Sequence, residues 1–416
     1  MAVHRIRNFN TDIQDRPGDL SVAVELKFLL PIVPCDKGTT VDEEPRRDGF
    51  RTNRMPKSLR SEDKSKLWRH GFSLISEVIN GIPGQHALTS YDLKDLDIQE
   101  RDCWSTYWIV KASNSAEPAA DHPNRDHWKW VPVEVTSPKM SWKDLKTTQT
   151  MAAVIDSIQE RYHIISNHTC EVHVHVGRMD GRPFSLPTLK RSAILAWLAE
   201  PILRQVKDPS SPNFEHIFTW SSAARKYSRL AAKLKMATAA KIPSNQDVKF
   251  LPPTIKKIVR DRGMDMSMDL SAIRLIVGTT SHIQLGRLMS GEGKQYRRLG
   301  FNFSAFAGED ERACTNPKTV ECRFLEGTMN TDVVLSWVQI ICRMVEVSLD
   351  SGKEDESYAR TVLHTMASHE EELFGMQFRR LMRRLQISED VYSPVRALID
   401  EINGYVSWRG GLCIAA

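Results

Sequence analysis

At 416 residues the chain has room for two or three average domains of about 150 residues each. Hydrophobic residues make up 41% and charged residues 26%, with a net charge of +5, which excludes a disordered, collagenous or coiled-coil chain. So small an excess of basic residues, spread over this length, is not the concentrated patch of a nucleic-acid binder.

Residues 1–20 alternate charged and polar side chains, without the apolar stretch of a signal peptide. No segment approaches the roughly 18 apolar residues of a membrane span. The seven cysteines, Cys35, Cys103, Cys170, Cys314, Cys322, Cys342 and Cys413, show no C-x-x-C spacing. Free thiols in a reducing, cytoplasmic compartment fit this usage.

A strand is predicted over 20–31, followed by a polar, charged stretch near 35–66 that reads as a mobile insert. Apolar spacing predicts a helix over 62–80, ending at Gly81 and Pro83. Aromatic and β-branched residues predict strands over 103–111 and 130–135. Ser141 is expected to cap a helix running to Tyr162, and a strand follows over 170–177. A buried helix is predicted over 185–203, then a second insert near 205–253 that contains a helix over 221–236. Strands are expected over 272–279, 301–306 and 319–325, and a helix over 333–349 that starts at Thr331 and Asp332. The tail from 354 onward reads as helical, with Arg379, Arg380, Arg383 and Arg384 on a solvated face. Short strands interleaved with helices, without regular βαβ alternation, indicate an α+β fold with helices gathered on one face of a sheet.

Successive side chains of a strand point to opposite faces, so residues two apart can converge on one ligand. In the first strand Val22, Val24, Leu26 and Phe28 face one way, and Glu25 and Lys27 the other. Glu134 projects opposite Val133 and Val135. Glu171, His173 and His175 share a face opposite Val172, Val174 and Val176, and Glu321 lies with Arg323. Carboxylates and imidazoles on a common face suit a divalent Mg, Mn or Zn ion, and a guanidinium beside them suits phosphate or carboxylate. The set points to phosphoryl or acyl-phosphate chemistry more than to simple hydrolysis. Cys170 and Cys322 fall on the apolar faces and read as core thiols.

These residues, with Val133-Glu134-Val135-Thr136-Ser137-Pro138, Thr169-Cys170-Glu171-Val172-His173-Val174-His175-Val176-Gly177, Leu195-Ala196-Trp197-Leu198-Ala199-Glu200-Pro201 and Glu321-Cys322-Arg323-Phe324-Leu325-Glu326-Gly327-Thr328, resemble the amidoligase family. Those enzymes look like carboxylate-amine ligases of the glutamine synthetase and γ-glutamylcysteine ligase superfamily, and the resemblance runs from about Leu20 to Leu349. It implies a glutamine synthetase-like curved antiparallel sheet that holds ATP and Mg (or Mn) on its concave face. It also implies a catalytic unit over 1–352 and a helical extension over 353–416. The implied substrates are a small-molecule or peptide carboxylate and an amine, with no nucleic acid or membrane partner and a homo-oligomer left open.

By position, the resemblance assigns Glu25, Glu134, His173, His175 and Glu321 to the metal, and Glu25, Glu134, Arg323 and Glu326 to the nucleotide. Arg323, Glu321 and Lys27 would act in catalysis, and Arg225 and Glu171 would meet the substrate. Three positions depart from the family. Lys27 stands where a second carboxylate is usual, Ala112-Ser113 replaces an Asp followed by Ser, and Glu171 replaces a common Gly. An ammonium at Lys27 is expected to fall where a metal would be held, so that one metal site is lost or moved and Glu171 compensates. The alternatives are a diverged member of the fold that binds without ligating or runs a metal-poor reaction, and, less favoured, a zinc hydrolase built on His173 and His175.

Overall fold

The computed structural model describes residues 15–33, 53–54, 63–211, 214, 222–239, 267–293, 296–308, 317–349, 356–367 and 376–412. The strands are β1 (Leu20–Val33), β2 (Asn53–Arg54), β3 (Ala87–Thr89), β4 (Trp108–Ala112), β5 (Lys129–Thr136), β6 (Met140–Ser141), β7 (Glu171–Arg178), β8 (Phe301–Asn302) and β9 (Val320–Glu326). They form one nine-stranded sheet in the order β3-β4-β5-β1-β7-β9-β8, with β2 and β6 also paired to β1. The pairs β3/β4 and β1/β2 are parallel and the others antiparallel.

The helices are α1 (Lys64–Asn80), α2 (Ser90–Asp95), α3 (Glu100–Cys103), α4 (Leu145–Arg161), α5 (Leu186–Leu203), α6 (Ala224–Tyr227), α7 (Arg229–Ala239), α8 (Ser267–Val277), α9 (His282–Met289), α10 (Thr331–Val347), α11 (Glu356–Ala367), α12 (Met376–Arg384) and α13 (Glu389–Leu412). The fold is thus a mixed α+β arrangement around a mostly antiparallel open sheet. Val22, Val24, Leu26, Val133, Val135, Val172, Val174, Val176 and Cys322 form one apolar sheet face. Phe72 and Ile75 of α1, Val154 and Ile158 of α4, Leu195 and Leu198 of α5, and Trp337 and Ile341 of α10 cover it. Alternation thus sends every second side chain of the central strands into this core, which is what leaves the polar set on the other face. Phe378, Leu381 and Met382 of α12 join the same core, while Arg380, Arg383 and Arg384 stay exposed and Arg379, expected with them, is half-buried. Among the described residues no helix is long and apolar enough to cross a membrane.

Several local expectations are corrected. Residues 272–279, read as a strand, belong mainly to α8. Its buried Leu270, Ile273 and Ile276 recur every three residues and pack on α5, so tertiary packing overrides the β-branched composition. Ser141 lies in β6, and Asp144 caps α4 by accepting from the Lys146 backbone N–H. Cys103 ends α3, and the strand begins at Trp108. Phe301–Asn302 is a two-residue strand followed by a 3-10 turn over Ser304–Phe306. The helix expected over 221–236 is split at Ser228, and Asn330 rather than Thr331 caps α10. The insert expected near 35–66 lies for the most part outside the described residues, while of that near 205–253 residues 205–211, 214 and 222–239 are described.

Candidate active site

Strand register decides which of the polar side chains meet. Glu25 is opposite His173, His175 opposite Glu321, and Asn302 opposite Glu321. One row further along, Lys111 is opposite Glu134, Glu134 opposite Lys27, and Glu171 opposite Glu326. A bulge in β9 between Cys322 and Leu325 advances that strand three residues while β7 advances two. This shift turns Glu326 to the same face as Glu321, which uniform alternation would not do.

Three ligand atoms converge in the first of these rows. Glu25, His175 and Glu321 each bring one atom within 4.8 Å of the others. His175 Nε2 is 3.3 Å from Glu25 Oε1 and 3.7 Å from Glu321 Oε1, is buried, and has no hydrogen-bond partner. Its Nδ1 lies 3.2 Å from Thr319 Oγ1, and an Nδ1–H donated to that hydroxyl leaves the Nε2 lone pair aimed between the carboxylates. Gly177 makes the approach of Thr319 possible, because a Cβ there would lie 2.8 Å from Thr319 Cγ2. A buried ring nitrogen without a hydrogen-bond partner beside two carboxylates is a donor set a divalent cation can use, so these residues fit a metal ion.

The charges around the triad are strongly coupled. Burial would raise the Glu25 carboxyl, but the hydrogen bond from His173 and the nearby His175 imidazole hold it well below the usual carboxylate range. Glu321 is likewise buried, and Arg323 followed by His175 brings it down to about 2. Its Oε1 accepts from Arg323 Nε at 2.6 Å and its Oε2 from Asn302 Nδ2 at 2.7 Å. Burial opposes the charged form of His175, yet Glu321 and Glu25 outweigh it and raise that imidazole.

The second row is more deeply buried. Lys27, 5% exposed, places Nζ 3.2 Å from His173 Nε2 and 3.6 Å from Glu171 Oε2. His173 is fully buried, with Nδ1 2.7 Å from Glu25 Oε2 and Nε2 2.8 Å from Glu171 Oε2. Burial would raise Glu171, but the His173 hydrogen bond, His173 and Lys27 bring it to about 2. Glu134, raised by burial and by Glu25, sits 3.4 Å from Lys111 Nζ, which also donates to Glu100 Oε1 at 2.7 Å. Burial, aided by Asp208 and opposed by Lys207, pushes Glu326 up to about 7.

A cavity of about 540 Å³ opens on the first row, a size ordinary for a small-molecule site. Glu25, His175, Glu321 and Arg323 line it together with Lys111, Lys318 and Arg297. Four of the expected site residues therefore face the cavity together. Glu134, Glu171, His173 and Lys27 are adjacent but do not line it, and His173, expected as a metal ligand, has its ring nitrogens against Glu25 and Glu171. Lys27 and Glu171, expected in catalysis and at the substrate, are paired with each other and do not line the cavity. Glu326 is turned toward Lys207 and Asp208 instead.

Arg225 does not line the cavity. Its Nη1 is 2.8 Å from Asp269 Oδ1, its guanidinium lies over the Trp197 ring at 4.9 Å, and its backbone N–H donates to Glu200. It ties α6 to α5 and α8. Ala112 is opposite Val133 and so lies on the apolar face, where an acid could not have served the site; Lys111 is the β4 residue that does. Lys111 was legible from alternation with Val110 and Ala112, whereas Thr319 and Asn302 follow only from register. Cys322 is buried in the main core, and burial pushes its thiol up. Cys170 is also buried, its thiol pushed up to about 11, but it packs with Leu29 and Ala116 in a small separate cluster. Leu29 alternates with Glu25 and Lys27, so Cys170 sits on the polar side of the sheet, contrary to its expected face. Gly327 permits this, since a Cβ there would come 2.2 Å from Cys170 Cβ.

The polar face of the sheet thus gathers two carboxylates, an imidazole and a guanidinium around one cavity, a set that could hold a metal ion. Residues 74–245 match the family model described as "Putative amidoligase enzyme", the family the motifs resemble. The matched stretch contains Glu134, Glu171, His173, His175 and Arg225, and the match supports a ligase-type enzyme. No curated protein matches the chain.

Proposed function

We propose that the chain is an ATP-dependent carboxylate-amine ligase, active in the cytoplasm on a small-molecule or peptide acid and an amine. Its sheet is read as the glutamine synthetase-like type, with residues 1–352 as the catalytic unit and 353–416 as an extension. The observation that carries this reading is the Glu25, His175 and Glu321 triad at the floor of a cavity that Arg323 and Lys111 also line. Reactions of this class join acid and amine in two balanced steps. A carboxylate oxygen bonds to the γ-phosphorus of ATP as ADP leaves, and the amine nitrogen then bonds to the acyl carbon as phosphate and a proton leave.

The residues of the chain would divide this work by charge. Glu25, His175 and Glu321 would hold Mg or Mn, which supplies neutralisation of phosphate oxygens. Arg323, fixed by Glu321 through Nε, lines the cavity and would turn its guanidinium fork to phosphate or carboxylate oxygens there. Lys111, held charged against burial by Glu134 and Glu100, adds a second fixed cation at the wall. Positioning and fixed charge of this kind supply most of the acceleration in phosphoryl transfer. The intact triad speaks against a diverged, non-catalytic site.

The test is release of ADP by the purified chain with MgCl2 or MnCl2 and a panel of amino-acid and peptide acids paired with amines, including ammonia. Release that requires both substrates supports the reading. Lack of ATP binding and of ADP release across the panel overturns it.

A further inference from the structure

We propose that the Lys27 ammonium is a resident cation standing in place of a second divalent ion, so that the chain holds one metal ion and not two. The inference rests on the ligase reading for the identity of the first site, Glu25, His175 and Glu321. The groups around Lys27 are those that would otherwise surround a metal. Glu171 Oε2 lies 3.6 Å from Nζ, His173 Nε2 lies 3.2 Å away, and Glu134 is its cross-strand neighbour on β5. The Lys27 and Glu171 side chains are 6% and 7% exposed, and His173 is fully buried, so water does little to satisfy these groups.

The charges alternate along one row of the sheet, from Lys111 on β4 to Glu134 on β5, Lys27 on β1 and Glu171 on β7. A row that neutralises itself neighbour by neighbour has no need of an added cation, and a divalent ion entering it would meet the ammonium within a few Å, at a cost too large for the pair of carboxylates to offset. The first row differs in that His175 Nε2 faces two carboxylates, Glu25 at 3.3 Å and Glu321 at 3.7 Å, with no hydrogen bond and, among the described residues, no lysine between them. Glu25 joins the two rows, since its Oε2 meets His173 and its Oε1 meets His175. Lys27 therefore acts at a distance from substrate as a positioning residue. It holds Glu171, which accepts from His173 Nε2, and so through His173 the carboxylate of Glu25, without loading or loss of an ion.

The experiment is titration of the full-length chain, freed of metal with EDTA, with Mn2+ alone, read by calorimetry and by electron paramagnetic resonance. The expected result is one Mn2+ per chain with an uncoupled six-line spectrum. Lys27→Met should raise the stoichiometry to two, with a spectrum broadened by exchange coupling and a thermal midpoint that rises when Mn2+ is added. Lys27→Arg should keep it at one. If the parent chain binds two ions, or none, the proposal is overturned. It is also overturned if a folded Lys27→Met variant still binds one. Should Lys27→Met fail to fold, the parent stoichiometry and Lys27→Arg decide the matter. A chain that turns over ATP with two bound ions refutes this inference and leaves the ligase reading standing. A chain that binds one Mn2+ and gains a second in Lys27→Met, yet neither binds nor hydrolyses ATP, does the reverse.

Discussion

Neutralising Glu171 should destabilise the protein far more than a surface charge change would. Glu171→Gln keeps the side-chain shape and an oxygen for His173 Nε2, but leaves the Lys27 ammonium without its carboxylate 3.6 Å away. At an effective dielectric of about 20, that separation corresponds to about 4–5 kcal/mol of attraction. Removing one partner of a buried ion pair typically costs about 3–5 kcal/mol, because the other charge stays buried and uncompensated. The expected loss is therefore about 3–4 kcal/mol, measured by urea unfolding with tryptophan fluorescence at pH 7 in EDTA. It should change little between low and high salt, since a pair this buried is poorly screened. Adding Lys27→Met to Glu171→Gln should recover part of the loss, with a coupling energy of about 1.5 kcal/mol or more in the double-mutant cycle. A single-variant loss below about 1 kcal/mol, or strict additivity in the cycle, would refute the pairing argument.

Four further outcomes are expected. Thr319→Val removes the hydroxyl that orients His175 and should weaken Mn2+ binding about 10- to 100-fold in calorimetry, with little change in unfolding midpoint. Arg323→Lys keeps the charge but loses the fork, and should lower the rate of ADP release by about 10²- to 10³-fold while the chain stays folded. Glu326→Gln should stabilise the protein above neutral pH. The folded carboxyl titrates at about 7 against 4.5 unfolded, so the stability its protonated form contributes is full below 4.5 and is lost as pH rises through 7. The variant should gain about 1–3 kcal/mol at pH 8 and nothing at pH 4.5, read from urea midpoints at both values. Arg225→Gln, which breaks the contact to Asp269, should lower the unfolding midpoint while Mn2+ binding is unchanged.

Residue spacing by itself determined the polar and apolar faces of β1, β5 and β7, because a strand's period of two is written into the order of Val, Glu, His and Lys. Glu25, His175, Glu321 and Arg323 could be named from that rule, together with Lys27, Glu134, Glu171 and His173, as the polar set. The rule failed where local composition and packing disagreed. Residues 272–277 carry strand-like side chains, yet they pack as a helix on α5. Ala112 was expected to mark a lost ligand, but its register opposite Val133 puts it in the core and hands the site to Lys111.

Pairing between strands far apart in sequence decided the rest. His173 and His175 look equivalent in the chain, but Glu25 and Glu171 occupy both nitrogens of the first, while the second keeps Nε2 free of hydrogen bonds. The β9 bulge moved Glu326 to the polar face, and the open space at Gly177 brought Thr319 to His175. The sequence determines which side chains a strand can offer to a face. Only tertiary structure decides which of them are neutralised by a neighbour and which remain available, because that depends on distances of 3–4 Å between residues up to 148 positions apart.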